Sequence, residues 1–176
     1  MEGKPTLKDF FDLPKDIYPI GRLDFDSEGL LVLSNDKGLN QLLLQPTLAH
    51  EREYLVQVDG DIDPSALLLL ESGVPITVDG KIYLTKPCQA KKCIPPADIR
   101  PRNPPIRFRK NIPTSWISLV LTEGKNRQVR KMTAKTGYPT LRLIRYRIEG
   151  LTLEGLLPGE MLEMSKADLF RKLSID

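Results

Sequence analysis

Polar and apolar residues alternate with a period of two along Glu53–Val58 (EYLVQV), which stops before Asp59-Gly60, and the pattern predicts a strand. Leu141–Ile148 (LRLIRYRI) alternates apolar with basic residues, as a half-buried strand with a charged face does. Trp116–Thr122 is a third strand, and Gly29–Ser34 is an apolar, β-leaning run ended by the Asn35-Asp36 turn. Residues 17–23 read as extended, residues 74–86 as one or two strands broken at Asp79-Gly80, and residues 160–164 as a last short strand. Helices are expected over residues 6–12, opened by Thr6, and over residues 38–45, stopped by Pro46. Asp63-Pro64 opens another that runs to Glu71 and closes at Ser72-Gly73. Asn126 caps a further one that reaches about Lys135 before Gly137, and residues 166–173 form a terminal helix. Residues 87–113 hold seven prolines and read as an arm or insertion without a core element. Strands and helices mix without a regular strand–helix–strand rhythm, so the expected class is α+β, with a largely antiparallel sheet and flanking helices.

The chain of 176 residues suits a single domain of two small lobes. No apolar run approaches the ~20 residues of a membrane-spanning helix, and the first residues have no apolar signal-peptide core. One histidine, His50, excludes a histidine-rich metal site, and Cys88 and Cys93 have no second pair with which to hold zinc. Neither a phosphate-loop nor a dinucleotide glycine motif is present. Metal and nucleotide cofactors therefore have no support in the sequence, and a reduced, cytoplasmic protein is expected.

Charge changes the picture. The net charge is only +3, yet Arg100–Arg147 holds thirteen Lys or Arg residues, most of them Arg, against one acid, Glu123. Interleaved with Pro, Ile, Trp and Leu, such a block reads as a folded electropositive surface, and its natural partner is a phosphate backbone. A solvated basic face balanced by the acidic remainder is the plainer alternative.

Three constellations could carry chemistry. Gly21–Gly29 (GRLDFDSEG) puts three acids between two glycines ahead of an apolar run, and Arg22 could keep Asp24 ionised by pairing with it. The same residues are also what ordinary turns are made of. In Glu123–Met132 (EGKNRQVRKM) a strand turns at Gly124 into a helix whose start favours anions. Arg127, Arg130 and Lys131 there share one face, which either binds an anion or is simply an exposed basic surface. Tyr54, at the start of its strand, is either filler or a platform for an unstacked base.

In that order, GRLDFDSEGLLVLSND, REYLVQV, EGKNRQVRKM and TLRLIRYRIEGL resemble the motifs of the RsuA-type pseudouridine synthases. The segment PRNPPIRFRKNIPTSW brings the likeness nearest the RluE-type branch, which acts on large-subunit (23S) ribosomal RNA; the resemblance covers roughly residues 5–164. It implies a mixed, mostly antiparallel sheet with a central cleft, and isomerisation of a flipped uridine to pseudouridine without cofactor or metal. It implies Asp24 as the catalytic aspartate, Arg22 as its paired arginine and Tyr54 as the residue that stacks on the base. Arg130 would be the basic residue holding the aspartate and the substrate phosphate, and Leu143 the apolar pocket wall. Arg102, Arg107, Arg109, Lys125, Arg127, Lys131, Arg142 and Arg145 are then expected to dock the RNA, with the protein a monomer away from membranes. Against the family pattern the chain starts at the short helix, so one strand of the central sheet is expected to be missing. Two other readings stand beside this one: a truncated rRNA-binding relative with weak or no catalysis, and a synthase acting on small-subunit rRNA.

Overall fold

The computed structural model describes residues 6–106 and 112–175. Arg107 and Arg109 fall outside the described residues. After a 3₁₀ turn at Leu7–Asp9 come β1 (Tyr18–Pro19), β2 (Glu28–Gly29), β3 (Leu33–Ser34) and α1 (Lys37–Leu44). Next are β4 (Arg52–Asp59), α2 (Pro64–Ser72), β5 (Pro75–Val78), β6 (Lys81–Leu84) and β7 (Gln89–Lys92). β8 (Thr114–Leu121), α3 (Gln128–Lys135), β9 (Thr140–Ile148), β10 (Leu151–Thr152) and α4 (Lys166–Lys172) follow. The principal sheet runs β10-β9-β4-β8-β7, all antiparallel, and β2 adds to β9 in parallel. β1 pairs with β3, and β5 forms a separate hairpin with β6.

Two apolar clusters hold these layers. Val56, Val58, Leu119, Leu121 and Leu143 from the central strands pack with Leu70 of α2 and Met132 of α3. Ile20, Val32, Leu39, Leu43, Ile148, Leu151 and Leu173 form the second, where Leu39 and Leu43 lie one turn apart on α1. Each fully buried Leu or Val contributes about 1.5–3 kcal/mol of apolar transfer, which is why three neighbouring strands rich in such residues occupy the middle of the sheet.

Four expectations are corrected. Gly29–Ser34 is not one strand: Gly29 has φ +109, and the chain turns there, leaving β2 on β9 and β3 on β1. Residues 160–164 form no strand; Met161 and Leu162 are exposed, and the short strand is β10 instead. The 87–113 segment does contribute to the sheet, because β7 pairs with β8 and buries Ala90. Asn126 does not cap α3; the helix starts at Gln128, after Arg127 in the left-handed region at φ +52.

Candidate active site

The Asp24 loop is built by backbone geometry first. Gly21 at φ +73 opens it, and a turn closes from the Ser27 N–H to the Asp24 carbonyl at 2.9 Å. Gly29 then lies beside Arg145 of β9, so close that a Cβ on it would stand 2.3 Å from the Arg145 carbonyl oxygen. Only glycine combines that approach with a positive φ. Leu30 N–H donates to the same carbonyl at 2.8 Å, and the end of the loop is thereby stitched into the sheet.

Arginines from the basic segment hold the rest of the loop. Arg127 makes a forked pair with Asp26, at 2.8 and 3.0 Å. Arg130 donates to the Asp26 carbonyl at 2.7 Å and to Ser27 Oγ at 3.3 Å. Arg142 makes a second fork, on Glu28, at 2.9 and 2.7 Å, and also donates to the Arg100 carbonyl at 2.9 Å. Arg145 donates through Nε to the Leu30 carbonyl at 2.8 Å and through Nη1 to the Arg22 carbonyl at 3.4 Å. Planar guanidinium forks fix direction as well as charge, and arginine suits this work better than lysine.

Asp24 itself is left comparatively open. Its side chain is 29% exposed, and Arg127 Nη1 stands 3.8 Å from Oδ2. The hydrogen bonds from Arg127 hold the neighbouring Asp26 carboxyl down to about 2, and the same contact raises the Arg127 guanidinium. Burial lowers Arg130, a shift partly opposed by the charge of Asp26. Tyr54 is half-buried on β4 and lies opposite Arg145 in the register of β4 with β9. It packs on the apolar cluster that includes Leu143.

Several expected site residues sit elsewhere than anticipated. Arg22 is exposed and makes no ion pair with Asp24 among the described residues; the guanidinium within ion-pair reach of Asp24 belongs to Arg127. Arg130 meets the loop at Asp26 and Ser27, two and three residues beyond Asp24. Arg142 and Arg145 are 7% and 6% exposed and act as internal struts of the loop. The alternating pattern of β9 could not reveal this, because the acids and carbonyls they bind come from residues 22–30 and, for Arg142, also from Arg100. Leu143 is buried in the core. Lys125 is exposed over the Tyr83 ring at 4.8 Å, Lys131 is half-buried on α3, and Arg102 reaches Glu28 at 3.7 Å. Even Arg147 is neutralised locally, between Glu51 and Glu53 at 3.0 Å each.

Sequence reading missed the anchoring roles of Asp26 and Glu28, although both acids were visible in the motif. It also missed Glu123. That buried carboxylate accepts from the Tyr83 hydroxyl, from Lys86 N–H at 2.9 Å and from Gln128 Nε2 at 2.6 Å. Gln128 Oε1 in turn accepts from Lys125 N–H at 2.9 Å, which sets the start of α3. An open hollow of about 440 Å³ lies by Asp59, Asp63, Thr136 and Tyr138; it includes no residue of the Asp24 loop, and its acidic lining is wrong for a polyanion.

A part-exposed carboxylate 3.8 Å from a guanidinium can do acid–base or nucleophilic work on a polar ligand. Comparison with known proteins narrows this. The chain is 48% identical over 164 residues to the ribosomal large subunit pseudouridine synthase E of Vibrio vulnificus, covering 93% of this chain and 68% of the relative. It is 46% identical over 155 residues to the protein of the same name from Xanthomonas axonopodis pv. citri, covering 88% and 79%. The ribosomal large subunit pseudouridine synthase B of Bacillus subtilis is 36% identical over 172 residues, covering 97% and 63%. A crystal structure of a pseudouridylate synthase superposes with a TM-score of 0.74 at 25% identity, over 96% of this chain and 65% of that one. Residues 2–135, which include the Asp24 loop, Tyr54 and the start of α3, match the model of RNA pseudouridylate synthase, and the chain belongs to that family of enzymes.

Proposed function

We propose that this protein isomerises a uridine of large-subunit ribosomal RNA to pseudouridine, with Asp24 as the group that opens the sugar–base bond. The single observation that carries the reading is the state of Asp24: partly exposed, 3.8 Å from one guanidinium, on a loop whose other acids are already paired. A carboxylate free of a tight ion pair keeps its lone pairs for chemistry, and a nearby guanidinium keeps it charged when a base covers it. The names of the most similar relatives supply the substrate class.

In this scheme the target nucleotide leaves its stack at a cost of a few kcal/mol. Stacking on Tyr54, worth about 1–3 kcal/mol, offsets part of it. Arg102, Lys125 and Lys131 lie outside the buried braces and supply phosphate contacts, together with Arg127. The carboxylate of Asp24 acts on the ribose, the freed uracil turns, and carbon 5 rejoins the sugar as its proton leaves.

Tritium release from a large-subunit rRNA transcript carrying [5-³H]uridine tests the reading. The native chain should release tritium, and Asp24→Asn should lower the rate by at least ~10³-fold while RNA binding persists. Equal release from both removes Asp24 from the chemistry. Binding without release from either leaves an RNA-binding protein.

A further inference from the structure

We propose that Arg145 is a positioning residue that couples the Asp24 loop to Tyr54. The inference rests on the function proposed above. Its side chain is 94% removed from solvent, since only 6% of the residue is exposed, and among the described residues it has no carboxylate within ion-pair distance. A buried guanidinium without a counterion is costly, so its other contacts must account for its presence. Those contacts are unusual in where they fall. Nε holds the Leu30 carbonyl at 2.8 Å and Nη1 the Arg22 carbonyl at 3.4 Å, one on each side of Asp24 along the chain. Its backbone carbonyl accepts from Leu30 N–H at 2.8 Å as well. On the sheet, Arg145 stands opposite Tyr54, whose phenol offsets part of the burial effect that lowers the guanidinium. One planar group therefore sets the two ends of the catalytic loop and stands across the sheet from the tyrosine on which the base would stack.

The contrast with Arg142 sharpens the assignment. Arg142 is equally buried, yet its fork has a full carboxylate partner, Glu28, so ion pairing explains it. Nη2 of Arg145 has no hydrogen-bond partner among the described residues, a cost that folding alone gives no reason to retain. Lysine at this position would keep the positive charge but not the geometry that spans two carbonyls.

The test compares the native chain with Arg145→Lys and Arg145→Gln. Single-turnover tritium release, filter-binding affinity for the same rRNA transcript and amide hydrogen exchange of residues 22–30 are read together. Release should fall by about 30–100-fold, the size expected for a misplacement near 1 Å. Affinity should stay within about twofold, and exchange should rise in residues 22–30 and around Tyr54 but not in α2. A fall in affinity that accounts for the whole loss of release would make Arg145 an RNA contact and overturn the proposal. Unchanged release in a folded variant, or loss of the cooperative fold in both variants, would overturn it too. An inactive native chain would instead refute the proposed function, and the native exchange pattern against Arg145→Lys would still report whether this side chain ties the loop to Tyr54.

Discussion

Helices α2 and α3 begin in opposite ways. α2 starts with local chemistry: Asp63 accepts from Ala66 N–H at 2.8 Å, and Pro64 occupies the first turn, where its missing N–H costs nothing. α3 starts with a left-handed arginine and no side-chain cap from it; Gln128 settles the first turn by hydrogen bonds with Lys125 and Glu123, and Glu123 is in turn held by Tyr83 and Lys86 from far along the chain. Asp63 at the α2 start caps its own helix and accepts from the Tyr138 hydroxyl at 2.8 Å, neither of them in the Asp24 loop, whereas the α3 start frees Arg127 and Arg130 to reach across to Asp26 and Asp24. A local rule is broken where the chain has a distant partner to serve.

Breaking the distant partnership should do most damage. Gly29→Ala drives a Cβ into the Arg145 backbone at positive φ, so thermal unfolding should show a loss of about 2–4 kcal/mol, and tritium release should collapse. Arg127→Ala removes a partly exposed guanidinium shared between Asp26 and Asp24. RNA affinity measured against salt should weaken, with the slope reduced by about one. An unchanged slope would place Arg127 off the RNA. Asp63→Ala, at the locally coded start, should lower Tm by about 3 °C and leave release untouched. If release fell with it, the separation between the two helix starts would not hold.

Acid provides the mildest probe. The Asp26 carboxyl sits at about 2, below its ordinary 3.8, chiefly through hydrogen bonds from Arg127. A depressed carboxylate stabilises the fold fully above the unfolded value and loses that contribution as pH falls through the folded one. The difference in urea midpoint between native protein and Asp26→Asn should therefore be constant above pH 4 and shrink as pH falls toward 2. Because Asp26 is well exposed, the difference should be modest and weaker in high salt. A difference that keeps growing toward low pH would contradict the pairing.

The strand of residues 53–58, the Asp63-Pro64 helix and the hairpin break at Asp79-Gly80 were legible because each is encoded within a few neighbouring residues. In the hairpin, both Asp79 and Gly80 take positive φ, as two-residue hairpin turns require. The site was legible as motifs but not as contacts. Arg22 looked like the natural partner of Asp24 because it is adjacent in sequence, yet a side chain 103 residues away stands closer to it. Residues 160–164 looked like a strand because Met161, Leu162 and Met164 are apolar, but among the described residues they join no sheet; Met161 and Leu162 stay exposed and Met164 packs on the second apolar cluster.

The α+β class, the order of most elements, the concentration of positive charge between Arg100 and Arg147 and the motifs that mark the family can all be read along the chain. How that charge is used is set by contacts made on folding. Arg130, Arg142 and Arg145 turn inward as braces on residues 22–30, while Lys125 and Arg127 remain open to solvent. The reason is that a guanidinium's role depends on which carbonyls and carboxylates surround it. Those groups arrive from more than a hundred residues away, beyond what any periodicity in the chain can encode.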